Sequence, residues 1–150
     1  MIYKKFQFGW VIVVIFLVII VWMTFAYIYQ WGNNPIDKFG YILMTLLLGA
    51  FLLVFCGMTV IVTDRHIKIK LGIGIMVKKV ELQSITSVEI VHVPLLYGYG
   101  IRIIPGGTLY NVSGKYAVLI RFKDRKRILQ IGTNDGENLK KAIENRISTS

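Results

Sequence analysis

From Phe6 to Ile36 the chain carries no charged residue. Inside that stretch GWVIVVIFLVIIVWMTFAYIY runs from Gly9 to Tyr29, 21 residues that are almost all apolar. A helix rises about 1.5 Å per residue, so this run reaches across the roughly 30 Å of a bilayer core. A second uncharged run, FGYILMTLLLGAFLLVFCGMTVIVT, extends from Phe39 to Thr63. Its helical part is expected to stop near Gly57, because Thr59-Val60-Ile61-Val62-Thr63 is a β-branched series that reads as strand. The pattern therefore predicts an anchor over residues 1–57, with transmembrane helices at about 9–29 and 39–57. Both runs exceed the roughly 18 apolar residues above which a span is the better reading than a buried helix of a soluble protein. A cleaved signal peptide has an apolar region of roughly 7–15 residues and a small-x-small site after it. The first run is longer than that, and no such site follows.

Gln30 to Lys38 separates the two runs. Asn33-Asn34-Pro35 is turn chemistry, so a tight antiparallel helical hairpin is expected. Trp10, Tyr27, Tyr29, Trp31 and Tyr41 fall near the ends of the runs, where aromatic belts form. Trp22 falls inside the first run and fits that pattern less well. Lys4 and Lys5 precede the first helix, and Arg65, Lys68 and Lys70 follow the second. The connecting loop holds only Lys38, beside Asp37. The positive-inside rule then places both termini in the cytoplasm and the hairpin loop outside. The expected location is the cell membrane, crossed by two helices.

Beyond residue 58 the period changes to 2. His66-Ile67-Lys68-Ile69-Lys70-Leu71 alternates polar and apolar, a strand with one wet face. Gly72 and Gly74 mark a turn. Further strands are predicted over 77–83, 85–93, 101–104, 116–123 and 127–131, with Pro94, Pro105-Gly106-Gly107 and Asp124-Arg125-Lys126 as breaks or turns. With 59–63 the expected number is seven. Thr133-Asn134-Asp135-Gly136 then offers helix-cap residues. Leu139, Ala142, Ile143 and Ile147 follow at helical spacing, which predicts an amphipathic helix over about 135–147. Residues 58–150 thus read as a small cytoplasmic β domain, a barrel or orthogonal sandwich with the helix plugging an open end.

YGYGIR (Tyr97 to Arg102), LYNVSGKYAVLI (Leu109 to Ile120) and RILQIGTNDGENLKKAI (Arg127 to Ile143) resemble the C-terminal half of bacterial pleckstrin-homology-like (PH-like) proteins. Such proteins often place two transmembrane helices ahead of the domain. The resemblance covers roughly Met58 to Arg146 and the hairpin layout. It implies a membrane-anchored α+β chain, in which a transmembrane helical hairpin precedes a seven-stranded PH-like β-barrel capped by a C-terminal amphipathic helix. It does not imply an established ligand. Phosphoinositide-binding members cluster Lys and Arg around their first hairpin, and Arg65, Lys68, Lys70, Lys78 and Lys79 do not reproduce that motif. The layout is also similar to small two-helix proteins of Gram-positive bacteria that protect a bacteriocin producer from its own peptide, such as sublancin-type immunity proteins.

Composition sharpens the division. The chain is 55% hydrophobic and only 17% charged, yet its net charge is +10. Residues 64–150 hold 15 Lys and Arg against 7 Asp and Glu, most of that surplus. Disorder is excluded by the hydrophobicity. The single cysteine, Cys56, excludes a disulfide scaffold, and one Cys with two His falls short of a zinc site. No catalytic residue, metal or cofactor is expected. His66 and His92 are far apart in sequence, the acids are scattered, and Gly98, Gly100, Gly106 and Gly107 fit neither the dinucleotide nor the P-loop spacing.

Two groups of binding residues remain. Arg65, Lys68, Lys70, Lys78, Lys79, Arg125, Lys126 and Arg127 are candidates for an anionic membrane surface, where each basic side chain contributes roughly 1 kcal/mol. Tyr97, Tyr99, Arg102, Tyr110 and Asn111, in the long segment between Pro94 and Gly114, are candidates for a partner-binding loop. Nucleic acid is not an expected partner, because the basic domain is tethered to a membrane and shows no reading helix. The sequence thus predicts a non-enzymatic, membrane-anchored binding module for anionic lipid, a membrane protein or a peptide. The alternative is immunity to a membrane-active bacteriocin.

Overall fold

A computed structural model describes residues 2–94, 97–124 and 126–148, with the side chains of all of these except Met76 and Val77. The chain is α+β, with two apolar helices and two sheets. Strand β1 (Tyr3–Phe8) comes first and leads into helix α1 (Trp10–Ile28) and helix α2 (Lys38–Phe55). Then come β2 (Gly57–Val62), β3 (His66–Leu71), β4 (Ile75–Glu81), a 3-10 turn at Leu82–Ser84 and β5 (Ile85–His92). The chain finishes with β6 (Gly100–Ile104), β7 (Gly107–Asn111), β8 (Tyr116–Phe122), β9 (Ile128–Thr133) and α3 (Gly136–Ile147).

The two helices are separated by backbone that cannot continue a helix. Gln30 has φ +50° and Gly32 φ +92°, and Asp37 caps α2 by accepting a hydrogen bond from Gly40 N at 3.0 Å. Near the loop the helices touch through Thr24 Oγ1 and the Tyr41 hydroxyl at 3.1 Å, and through the stacked rings of Tyr27 and Tyr41 at 4.5 Å. Both helices are long and apolar enough to cross a membrane. The rest of the chain covers almost none of their surface: Ile12 and Met23 are the buried residues of α1, and α2 has none. A core helix of a soluble protein would be covered on one face at least.

One sheet is antiparallel in the order β1-β2-β3-β4. The other runs β5-β8-β9-β7-β6, and its β7–β9 pair is parallel. Alternation turns Met58, Val60 and Val62 inward beside Ile67, Ile69 and Leu71, all at most 2% exposed. Val118, Ile120 and Ile131 meet them from the second sheet, and Leu139 and Ile143 of α3 join the same cluster. β8 is buried on both faces, so Ala117 belongs to a second, smaller cluster with Val93, Ile104 and Leu109.

Two expectations need correcting. The strands number nine rather than seven among the described residues, and they form two open sheets rather than a closed barrel. The additional strands are β1 and β7. β1 reads in sequence as the basic flank of a span, because Lys4-Lys5 interrupts its alternation. Tyr3, Lys5 and Gln7 share one face, on which Gln7 is buried and Lys5 exposed, and pairing with β2 from Tyr3↔Val62 to Phe8↔Gly57 sets that register. β7 lies in the glycine-rich segment that reads as irregular. It is held between β6 and β9.

β1 also ties the start of the chain to α3. Gln7 Nε2 donates to Gly132 O at 3.0 Å. The Tyr3 hydroxyl donates to Asp135 Oδ2 at 3.3 Å, and Lys5 Nζ lies 3.7 Å from the same oxygen. Burial, then the Asp135 charge and its hydrogen bond, push the Tyr3 phenol up to about 12 from its ordinary 10.0. As pH rises from 10 toward 12 the unfolded chain loses this proton first, so stability falls through that window and is unaffected below it. Unfolding followed in detergent should therefore show a steeper alkaline loss for the native chain than for Tyr3→Phe.

Candidate functional site

The register of the first sheet gives every residue on it a level. The zero of that scale is the Phe8–Gly57 pair at the foot end, next to the bond that Gly9 N donates to Cys56 O at 2.8 Å, where the helices begin and end. Phe6, Thr59 and Lys70 share a row two residues away, about 7 Å at the strand rise. Lys4, Ile61, Lys68 and Lys79 share a row four residues away, about 13 Å. Lys78 pairs with Ile69 between these rows. Arg65 lies in the β2–β3 turn at the far end, a whole strand or about 20 Å from the feet. Lys126 and Arg127 are at that far end too, because the β8–β9 turn closes on the 3-10 turn through Lys123 N to Ser84 O at 2.8 Å. Arg125 lies outside the described residues. The basic candidates thus divide between a foot-side group (Lys68, Lys70, Lys78, Lys79) and a distal group (Arg65, Lys126, Arg127).

The structure brings part of the second set together with the first. β4 is an edge of its sheet, and between it and strands β7 and β9 of the other sheet lies a cleft of about 530 Å³. Lys78, Lys79 and Glu81 line it from β4, Thr108 and Tyr110 from β7, and Asp124 and Arg127 from the β8–β9 turn. Val80, Phe122 and Leu129 supply apolar lining. The volume suits a small ligand or a few residues of a peptide. None of the five charged side chains forms an ion pair with another described residue. Tyr110 is 7% exposed, and its ring is part of the main core cluster. Burial raises its pKa above the ordinary phenol value. Cations, a phenol and two carboxylates around an apolar floor are equipped to bind a ligand of mixed charge.

The other loop candidates lie elsewhere. Tyr97 packs on the second core cluster and Tyr99 on the main one. Arg102 is exposed on β6 and lies over Gly98. Asn111 is 2% exposed, and its amide accepts from Gly114 N at 2.8 Å and donates to Gly114 O at 3.0 Å. That side chain organises the β7–β8 turn. His66 and His92 sit at opposite ends of the domain, His92 edge-on to the Tyr116 ring at 5.7 Å. Sequence reasoning missed two groups: the exposed apolar side chains of β1, and Ile73 in the β3–β4 turn with Ile75 at the start of β4. The Gly-Ile-Gly-Ile spelling of that turn is the signal that was available.

Compared with known protein families, characterised proteins and solved structures, the chain finds no match in any of the three.

Asn111→Ala should lower unfolding free energy by about 1–3 kcal/mol, since it strands buried polar groups of the turn. Arg102→Ala, on an exposed edge, should stay within about 0.5 kcal/mol of the native chain. Chemical denaturation of both variants in detergent checks the pair.

Proposed function

We propose that the chain is a non-enzymatic, membrane-anchored binding module. In this reading α1 and α2 cross the bilayer as a hairpin, and the two-sheet domain stands on its cytoplasmic side with both chain ends. We read the domain as PH-like, opened along β4 and enlarged by β1 and β7. The observation that carries the proposal is the insertion of the helices between two paired strands. An apolar hairpin held at both feet by one sheet, with almost none of its surface covered, is an anchor joined to its domain without a linker.

The binding place in this proposal is the cleft beside β4. It extends toward the end remote from the helix feet, so it faces the cytoplasm rather than the chain's own bilayer. Its occupant is a segment of a membrane protein or a peptide, gripped by Lys78 and Arg127 across the apolar floor. A photo-crosslinking residue replacing Thr108 in the full-length protein, in native membranes, should capture a partner that the same residue at Asp64 does not. Capture should be lost when Lys78→Glu and Arg127→Glu are added. Capture that persists in the charge-reversed chain, or that fails at Thr108, removes the cleft from the proposal.

One observation favours a second reading, immunity to a membrane-active bacteriocin. Trp22 is 64% exposed in the middle of α1, away from the helix ends where tryptophan is usual. Its indole N–H has no partner among the described residues, and within hydrocarbon such a donor is best satisfied by another polypeptide. Expression of the chain in a sensitive bacterium should then protect against a bacteriocin, and Trp22→Leu should abolish protection at equal protein level. Unchanged killing across a bacteriocin panel ends this reading.

A further inference from the structure

We propose that the helices are not the chain's whole contact with lipid. The foot end of the first sheet, with the β3–β4 turn, forms a second, interfacial binding site for anionic phospholipid. This deepens the membrane-anchor reading above and rests on it.

The turn is locked in depth. Gly72 N donates to Gly57 O at 2.8 Å, and Gly72 has φ +49°. A Cβ at Gly72 would collide with the carbonyl oxygens of Leu53 and Val54, so the turn lies directly against the last turn of α2. Ile73 and Ile75 are therefore held level with the end of a spanning helix, and they are 74% and 47% exposed. Phe8 and Phe6, at the same level and one row above it, are 52% and 53% exposed. Each of the four leaves about half of its surface or more uncovered by the described chain.

The next levels are basic. Lys70 shares the Phe6 row, and Lys4, Lys68 and Lys79 line up across the sheet two residues further on. None of these four lysines has an ion-pair partner among the described residues. Glu81 is the one acid on the four strands, and it lies beyond them, opposite His66. The interfacial layer of one leaflet is about 5–8 Å deep. The exposed apolar residues occupy about that depth at the strand rise, and the lysines follow at its outer edge. Long lysine stems reach back from there to the phosphates. A solvated sheet has no reason to sort its exposed residues by distance from the helix feet. A sheet set into a leaflet does, and the leaflet is the surface the feet cannot avoid.

The test uses the full chain carrying Cys56→Ala. Single cysteines bearing a polarity-sensitive fluorophore are placed by Ile73→Cys, Leu47→Cys and Lys123→Cys. Each is put into bilayer discs of phosphatidylcholine and phosphatidylglycerol with quencher-labelled acyl chains. The labels at Ile73 and Leu47 should be quenched, and the label at the distal Lys123 should not. Quenching at Ile73 should weaken when phosphatidylglycerol is omitted. Quenching at Leu47 with none at Ile73 leaves the anchor standing and overturns the interfacial site. No quenching at Leu47 overturns the anchor and the site together. Equal quenching at Ile73 with and without phosphatidylglycerol overturns the preference for anionic lipid.

Discussion

The antiparallel pairing of β1 with β2 across residues 9–56 is the constraint on which the rest depends. Two strands that meet residue for residue are separated in sequence by both apolar helices. Closing so long a loop is costly for a flexible chain, because the entropy lost grows with its length. A preformed helical hairpin removes most of that cost, since its two ends already lie side by side. The backbone bond between Gly9 and Cys56 marks the place where hairpin geometry hands over to sheet geometry. The core then closes over Met58, Val60 and Val62 with β1 on one flank and β3 on the other.

Much of this was legible in the sequence, for reasons that are local. The two apolar runs identified the helices within two residues, because length and continuity decide such elements. The alternation of HIKIKL identified β3, and the spacing of Leu139, Ile143 and Ile147 identified α3. What was not legible is what long-range pairing decides. YKKFQF has no local reason to be a strand, and only β2 and Gly132, distant in sequence, make Gln7 an inward residue. The barrel expectation failed for a similar reason. Strand count follows from turns and alternation, but closure depends on which edges meet, and β4 remains an edge.

The candidate site follows the same division. Lysines and arginines that follow directly after an apolar run are conspicuous in sequence as candidates for the membrane surface. The strands then redistribute them. Arg65 and Lys70 are five positions apart, yet they sit at opposite ends of β3. Lys78 and Arg127 are distant in sequence, yet they line one cleft. Asn111 looked available in a loop, whereas both ends of its amide hold the turn at Gly114. A side chain's type announces its chemistry. Its level on a strand and the edge it borders decide where that chemistry is applied.

The discontinuity of the domain also sets an order of events during synthesis. β1 leaves the ribosome before the helices and has no partner strand until β2 emerges. In the membrane-anchored reading, the hairpin must be threaded into the bilayer while residues 3–8 wait on the near side. The sheet can then nucleate only where the hairpin returns its second foot, at the membrane surface. Anchoring is thereby made a precondition of folding, and a chain that misses the bilayer also leaves its first sheet one strand short.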